Sequence, residues 1–325
     1  MAYYLGIDGG GTKTLSAVGD ERSTLGSARA GPGNLLRVGA ERVRDAFSNS
    51  IAAACASAGI RMDQVSEVCL GAAGAARPEV SRALNQLLAE LLPEAHVQIC
   101  GDMEIALAAA VGDDPGLVVI AGTGSIAFGR NAKGETARAG GAGPENSDEG
   151  SGHWIGQRAM AALKKADPDD CYRRLSMAVR NALEDINKEN IEEAFKSGTP
   201  VPELGGSCSP AALFPAVLAE SNAGNPLVEG ILEEAGAELA GLAASVCGEL
   251  FNDQDCEDSA KSSLPPERSA IAVALAGGVF RHSELVRHAF TRQLAKLCPQ
   301  AEVRSGIIEP VEGALWMARQ AGCRP

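Results

Sequence analysis

Short apolar runs alternate with amphipathic stretches along the whole of this 325-residue chain. Compact apolar runs predict strands at 3–8, 14–19 and 24–30, and helical periodicity follows at 39–58. A strand near 66–71, a helix near 78–92, a strand near 96–100 and a helix near 103–111 complete the first half. The second half opens in the same way, with strands near 117–121, 125–130 and 135–139 joined by tight turns. "NAKGE" reads as a hairpin turn in which Gly134 supplies positive φ. Helices are predicted at 151–165, 171–182, 186–197, 209–220 and 225–250. The polar stretch "NDQDCEDSAKSSLPPERS" reads as a surface loop. A strand at 270–275, a helix near 282–297, a strand near 301–304 and a helix at 310–322 follow. Strands alternating with helices predict sheets covered by helices, an α/β fold.

Two glycine-hinged hairpins therefore open two halves of the chain, each followed by a third strand. The third strands end alike, with "ARAG" at Ala28–Gly31 and again at Ala137–Gly140. The shared strand–turn–strand–turn–strand plan predicts an internal duplication.

Length allows two domains with separate cores. Apolar residues make up 45% and mean hydropathy is −0.02, a soluble globular balance. A net charge of −13 weighs against non-specific nucleic-acid binding and against anionic membrane surfaces, both of which need clustered Lys and Arg. No apolar stretch is long enough to span a bilayer. The strand-like start, without a basic region or cleavage signal, gives the expectation of a cytoplasmic protein. The nine cysteines are scattered, with no C-x-x-C and no closely spaced pair, so reduced core residues are expected rather than disulfides or a zinc site. The four histidines lack metal-ligand spacing.

The glycine cluster "DGGGT" at Asp8–Thr12 raises the question of chemistry. A dinucleotide fingerprint or a P-loop needs a helix directly after the glycines. Here the β-leaning "TLSAVGD" follows, so the cluster sits in a hairpin turn. Such a turn can still hold an anion: Gly9, Gly10 and Gly11 let backbone N–H groups approach, and Thr12 and Thr14 add hydroxyls. Asp8 can hold hydrated Mg²⁺ near the phosphates. "AGTGS" at Ala121–Ser125 stands at the same place in the second half. Two such turns facing across a cleft would clamp a triphosphate.

These motifs resemble the sugar-kinase branch of the actin/hexokinase superfamily. More narrowly, the chain is similar to the BadF/BadG/BcrA/BcrD-type ATPases that include N-acetylglucosamine kinase and bacterial glucosamine kinase. "GIDGGGTKT" resembles the first phosphate loop, "GDMEIALAAA" the catalytic-aspartate segment and "IAGTGSIAFGRN" the second phosphate loop. "GGAGPENSDEGSGHWIG" resembles the sugar-binding stretch, "ALAGGVF" the adenosine loop and "EPVEGALWMA" the closing helix. The resemblance implies two ribonuclease-H-like domains, each a mixed sheet flanked by helices, with a nucleotide cleft between them. The first would span 1–115 with a returning helix at 309–325, and the second 116–308.

The resemblance further implies ATP-dependent phosphorylation of an amino sugar, at O6, with Mg²⁺ and in a homodimer whose lobes close on substrate. Asp102 would be the base that aims the hydroxyl for in-line attack. Its bland alternative is the N-cap of helix 103–111. Asp8, Gly10, Gly11, Thr12, Lys13, Thr14, Gly122, Thr123, Gly124, Gly277 and Gly278 would hold the nucleotide. Asn34, Gly74, Ser125, Gly141, Gly143 and Asp148 would meet the sugar, with Glu149 behind them. The alternative readings are a turn for Asn34 and a cap of helix 151–165 for Asp148 or Ser147, while His153 and Trp154 read as packing residues. Ile126 stands where animal-type relatives have Asn, Ala142 where many have an aromatic, and Ser147 where many have Gly, so these positions bear on sugar identity. The competing readings are a dehydratase-activating ATPase with an iron–sulfur cluster, and a sugar sensor without turnover.

Overall fold

The computed structural model of the protein describes residues 2–143, 148–162, 169–197, 209–251 and 270–323. Its framework is a pair of five-stranded mixed sheets. The first contains β1 (Tyr3–Gly9), β2 (Thr14–Gly19), β3 (Thr24–Ala30), β4 (Val65–Ala72) and β5 (His96–Cys100), in the order β3-β2-β1-β4-β5. The second contains β6 (Gly116–Ala121), β7 (Ser125–Arg130), β8 (Thr136–Gly140), β9 (Ile271–Ala276) and β10 (Ala301–Ile308), in the order β8-β7-β6-β9-β10. In each sheet the leading strand pairs antiparallel with the next and parallel with the fourth. The duplication predicted from the turns is thus real at the level of topology.

The repeated tetrapeptide is not its relic. Leu15 and Ile126 hold matching places after their turns, opposite Asp8 and Ile120. Leu15 then pairs with Arg29, whereas Ile126 pairs with Gly140. Arg29 therefore stands in the register of Gly140, not of Arg138, and the two ARAG segments do not superpose.

Apart from Asp8, β1 is as apolar as β6, because helices cover both faces of their sheets. On the first sheet, α2 (Ala40–Ser57) and α3 (Pro78–Leu91) bury one face around Phe47, Ile51, Leu84 and Leu88. On the second, α8 (Pro226–Leu250) and α10 (Glu284–Leu297) do the same around Leu232, Leu239, Phe280 and Phe290. Phe280 and Phe290 meet edge to face, 5.3 Å between ring centres. α5 (Gly152–Ala162), α6 (Asp170–Ser197) and α7 (Phe214–Asn222) extend this core.

Two helices cross between the sheets. α4 (Asp102–Val111) follows the first sheet in sequence but lays Ala106, Leu107, Ala110 and Val111 on Val118, Phe128, Ala274 and Ala276 of the second. α11 (Pro310–Gly322) follows the second sheet in sequence but packs Val311, Ala314, Leu315 and Ala318 beside Tyr4, Ala17 and Cys69 of the first. α4 and α11 also touch each other. A Cβ on Gly313 would strike the carbonyl of Ile105, and one on Gly6 would strike the α11 backbone at Leu315. Close approach of backbones is the reason for glycine at both sites.

Several boundaries differ from the sequence reading. The predicted helices at 171–182 and 186–197 are one continuous α6, since no Gly or Pro lies between them to end it. The helix predicted at 209–220 begins as a 3₁₀ turn, Pro210–Leu213, before α7. The one predicted at 282–297 is two, α9 (Gly278–His282) and α10, divided at Ser283, whose hydroxyl accepts from the Val286 N–H at 3.3 Å. Two short helices were not predicted, α1 (Leu35–Val38) and a 3₁₀ turn at Met62–Gln64, each a single turn with too few residues for a periodic signal. The Gly134 turn is as predicted, with φ +82° and a bond from its N–H to Asn131 O at 3.0 Å. The polar loop at 252–269 lies outside the described residues.

The cysteines also need a correction. Cysteines remote in sequence do become neighbours: Cys69 and Cys100 Sγ stand 3.9 Å apart across β4 and β5. Cys247 and Cys298 form a second such pair. All four are buried, as expected of core residues. The Cys69 hydrogen bond, with burial behind it, pushes the Cys100 thiol far up, so it stays protonated.

Candidate active site

The carboxyl ends of β1, β5 and β10 meet in a crevice, the usual place for a ligand in such sheets. β1 delivers Asp8 and the turn Gly10–Lys13, β4 delivers Gly74, and β5 delivers Asp102. β6 delivers Gly122, Thr123 and Gly124, β9 delivers Gly277 and Gly278, and β10 delivers Glu309. The proximity of the two lobes here is read from charge. Burial pushes the Asp8 carboxyl up to about 7, Asp102 and Glu309 push the same way, and Lys13 opposes them. Residues from three strand ends, one of them in the second sheet, thus act on one carboxylate.

Asp102 is the first residue of α4. Burial raises its pKa against the Met103 N–H, which its Oδ1 accepts at 3.0 Å. It is not the helix cap: Gly101 holds that place, and Glu104 Oε1 accepts the Gly101 N–H at 2.9 Å. Glu104 thus does the capping, which leaves Asp102 in the crevice mouth.

The first turn is closed by Gly10 N–H to Lys13 O at 3.0 Å, and the segment after β3 is tied to it by Gly33 N–H to Gly10 O at 3.0 Å. Thr12 is exposed on this turn, while Thr14 is buried with its hydroxyl against Gly33 and no partner among the described residues. Asn34 caps α1, its Oδ1 accepting from Leu36 and Arg37 N–H at 3.1 and 3.2 Å. Gly74, at φ +82°, lies under the Leu36 side chain.

The second turn is knitted to the "DEGS" segment. Ser125 N–H donates to Asp148 Oδ1 at 3.2 Å, and Ser125 Oγ donates to Glu149 O at 2.7 Å. Gly152 and His153 N–H bond the carbonyls of Gly122 and Thr123 at 2.8 and 3.1 Å. A Cβ on Gly124 would come within 2.7 Å of Asp148 Oδ1. Asp148 does not cap α5; Ser151 does, accepting the Trp154 N–H at 3.2 Å. Ser147 lies outside the described residues. Glu149 Oε2 is buried without a partner among the described residues. Trp154 is a packing residue as expected, with Arg158 stacked 4.6 Å above its ring. Gly141 and Gly143 have φ of +72° and +95°, and Ile126 packs beneath Gly141. Gly277 has φ +96° and touches the end of β6, where a Cβ would strike Ala121 O; Gly278 borders open space.

Two residues of the crevice, Glu309 and Arg37, escaped the sequence reading. Glu309 enters the field of Asp8 and is paired with Arg281 of α9 at 2.6 Å. Its signal was its place between a strand and a helix, one residue earlier in its junction than Asp102 stands in the β5–α4 junction. Arg37 stands over the first turn, with Nη1 3.4 Å from where a Cβ of Gly11 would be. A cavity of about 420 Å³, lined by Leu107, Phe128, Arg130 and Trp316 among others, opens on the side of α4 opposite Asp102 and is distinct from the crevice.

Two sheets of this order, each headed by a glycine-turn hairpin and facing each other across a crevice, define the duplicated ribonuclease-H-like fold of actin-type ATPases and sugar kinases. The chain belongs to the BadF/BadG/BcrA/BcrD ATPase family, whose model matches residues 5–318. It is 30% identical over 322 residues to N-acetylmuramic acid/N-acetylglucosamine kinase of Clostridium acetobutylicum, covering 98% of this chain and 99% of that one. It is 26% identical to N-acetyl-D-glucosamine kinase of Dictyostelium discoideum, covering 97% of each. Among solved structures, a candidate N-acetylglucosamine kinase from Chromobacterium violaceum shares the fold at a TM-score of 0.68 and 23% identity, covering 98% of this chain and 99% of that one. No helix among the described residues is long and apolar enough to cross a membrane.

Proposed function

We propose that the protein is an ATP-dependent amino-sugar kinase that phosphorylates N-acetylglucosamine or glucosamine at O6. The observation that carries this reading is the meeting of Asp8 and Asp102 at the carboxyl ends of β1 and β5, beside the first glycine turn. The relatives named as kinases of these sugars support the acceptor class.

The turns at Gly10–Lys13 and Gly122–Gly124 present backbone N–H groups to the phosphates from either side, with Thr12 and Thr123 hydroxyls beside them. Gly277 and Gly278 leave room for the adenosine. Asp102 accepts the acceptor's hydroxyl proton and aims its oxygen in line with the terminal phosphorus. Phosphoryl transfer asks mainly for position and charge neutralisation, so a carboxylate suffices as base. Asn34, Asp148 and Ser125 border the sugar side.

The residues present fit a divalent cation: a buried carboxylate with a second carboxylate beside it and one lysine opposing them is short of positive charge. Asp8 would hold Mg²⁺ through water. When bound, the ion neutralises charge on the phosphate oxygens.

The test is ADP release with Mg-ATP over a panel of hexoses, amino sugars and N-acetyl sugars, with the product's phosphate position read by NMR. Turnover confined to amino sugars, phosphorylated at O6, is expected. Asp102→Asn is expected to lower kcat about 10²–10⁴-fold while sugar affinity is kept. Sugar-independent hydrolysis by the wild type, or full turnover by the variant, would contradict the reading.

A further inference from the structure

We propose that Arg37 is a phosphate-binding residue of the site, reaching from α1 to the terminal phosphoryl group of the nucleotide. The inference rests on the kinase reading above and adds to it a cation that the glycine turns and Lys13 do not supply.

Two tethers fix the arginine. Gly33 N–H bonds Gly10 O, so the segment leaving β3 is held against the first turn. Asn34 then caps α1 and accepts from the backbone N–H of Arg37 itself. The guanidinium lands over the turn, Nη1 3.4 Å from the Cβ direction of Gly11. Glycine at that place leaves nothing between the arginine and an anion lying on the turn.

Among the described residues the charge of Arg37 is not used elsewhere. Among the described residues no carboxylate pairs with it, although the chain carries 42 Asp and Glu against 29 Lys and Arg. The charges around it divide the work. Lys13 acts on Asp8, and Arg281 holds Glu309, while Arg37 is absent from the field of both Asp8 and Asp102. A solvent-facing guanidinium beside an anion-binding turn, without an ion-pair partner among the described residues, suits an incoming phosphate, whose oxygens match its planar fork.

The experiment compares wild type, Arg37→Ala, Arg37→Lys and the remote control Arg22→Ala. Steady-state kinetics use Mg-ATP with N-acetylglucosamine and, separately, with N-acetylmuramic acid, which carries a carboxylate. Calorimetry uses magnesium complexes of ADP and of a non-hydrolysable ATP analogue. Arg37→Ala is expected to lower kcat about 10²-fold with both acceptors, to weaken the triphosphate about tenfold and to leave ADP unchanged. Arg37→Lys is expected to recover part of the loss, because it restores the charge but not the fork. Equal weakening of ADP and triphosphate, or no effect on either, would overturn the proposal. So would a defect confined to N-acetylmuramic acid, which would place Arg37 against the acceptor. Should the wild type turn over no sugar, the kinase reading fails, while the calorimetric arm still decides for or against Arg37.

Discussion

Asp8 ties the chemistry of the crevice to pH. Its folded-state pKa is raised from 3.8 to about 7, so between those values the folded protein holds a proton that the unfolded chain releases. Stability contributed by the neutral carboxyl is therefore present at low pH and lost as pH rises toward about 7. In protein free of nucleotide and metal, Asp8→Asn is expected to raise the melting temperature at pH 8 by about 1–3 °C and by a clearly smaller amount at pH 5. Thermal melts at the two pH values check this, and an equal shift at both would contradict it. Arg281 acts one step away. Its ion pair with Glu309 spares Asp8 part of a like charge. Arg281→Ala is expected to move the midpoint of that pH dependence upward, and a midpoint unchanged or lowered would contradict it.

At the scale of elements, the seam between α4 and α11 is set by small residues. Gly313 admits the backbone of α4 at Ile105 and Ala109. Gly313→Val is expected to force the helices apart and cost about 1–3 kcal/mol, read by chemical denaturation. Gly124→Ala is expected to displace Asp148, raising KM for sugar more than for ATP. The elements most legible in the sequence were those with strong local signals. The apolar runs of β1, β4 and β6 and the long periodic α8 and α10 stand within a residue or two of their predicted places. Asp8, Asp102 and the two glycine turns were legible for the same reason, being short motifs at strand ends. What the sequence hid depends on contacts across it. α1 is one turn long, and only its cap by Asn34 defines it. Arg37 gains meaning only once Gly33 ties its segment to Gly10. The Cys69–Cys100 pair follows from the adjacency of β4 and β5, and Cys247–Cys298 from the packing of α8 on α10, neither of which spacing along the chain encodes. The ARAG repeat misled because matching letters carry no register.

For the molecule as a whole, the exchange of α4 and α11 between the sheets governs how the lobes can move. Each sheet is covered partly by a helix that the chain supplies from the other half, and the two helices meet at the centre. Lobe closure over substrate must then bend or slide along that shared pair rather than open a bare linker. Removing the chain from Pro310 onward is expected to abolish cooperative melting of the first sheet while α8 and α10 keep the second folded. Hydrogen exchange resolved by segment would show fast exchange at β1 and β4 but not at β6 and β9. The same arrangement bears on biosynthesis. As the polypeptide leaves the ribosome, its opening sheet emerges with one flank uncovered, and the residues that cover it are translated only after every other strand. Nascent chains stalled before α11 should stay susceptible to protease near Tyr4 and Cys69, and acquire resistance there only when Leu315 has been released from the exit tunnel.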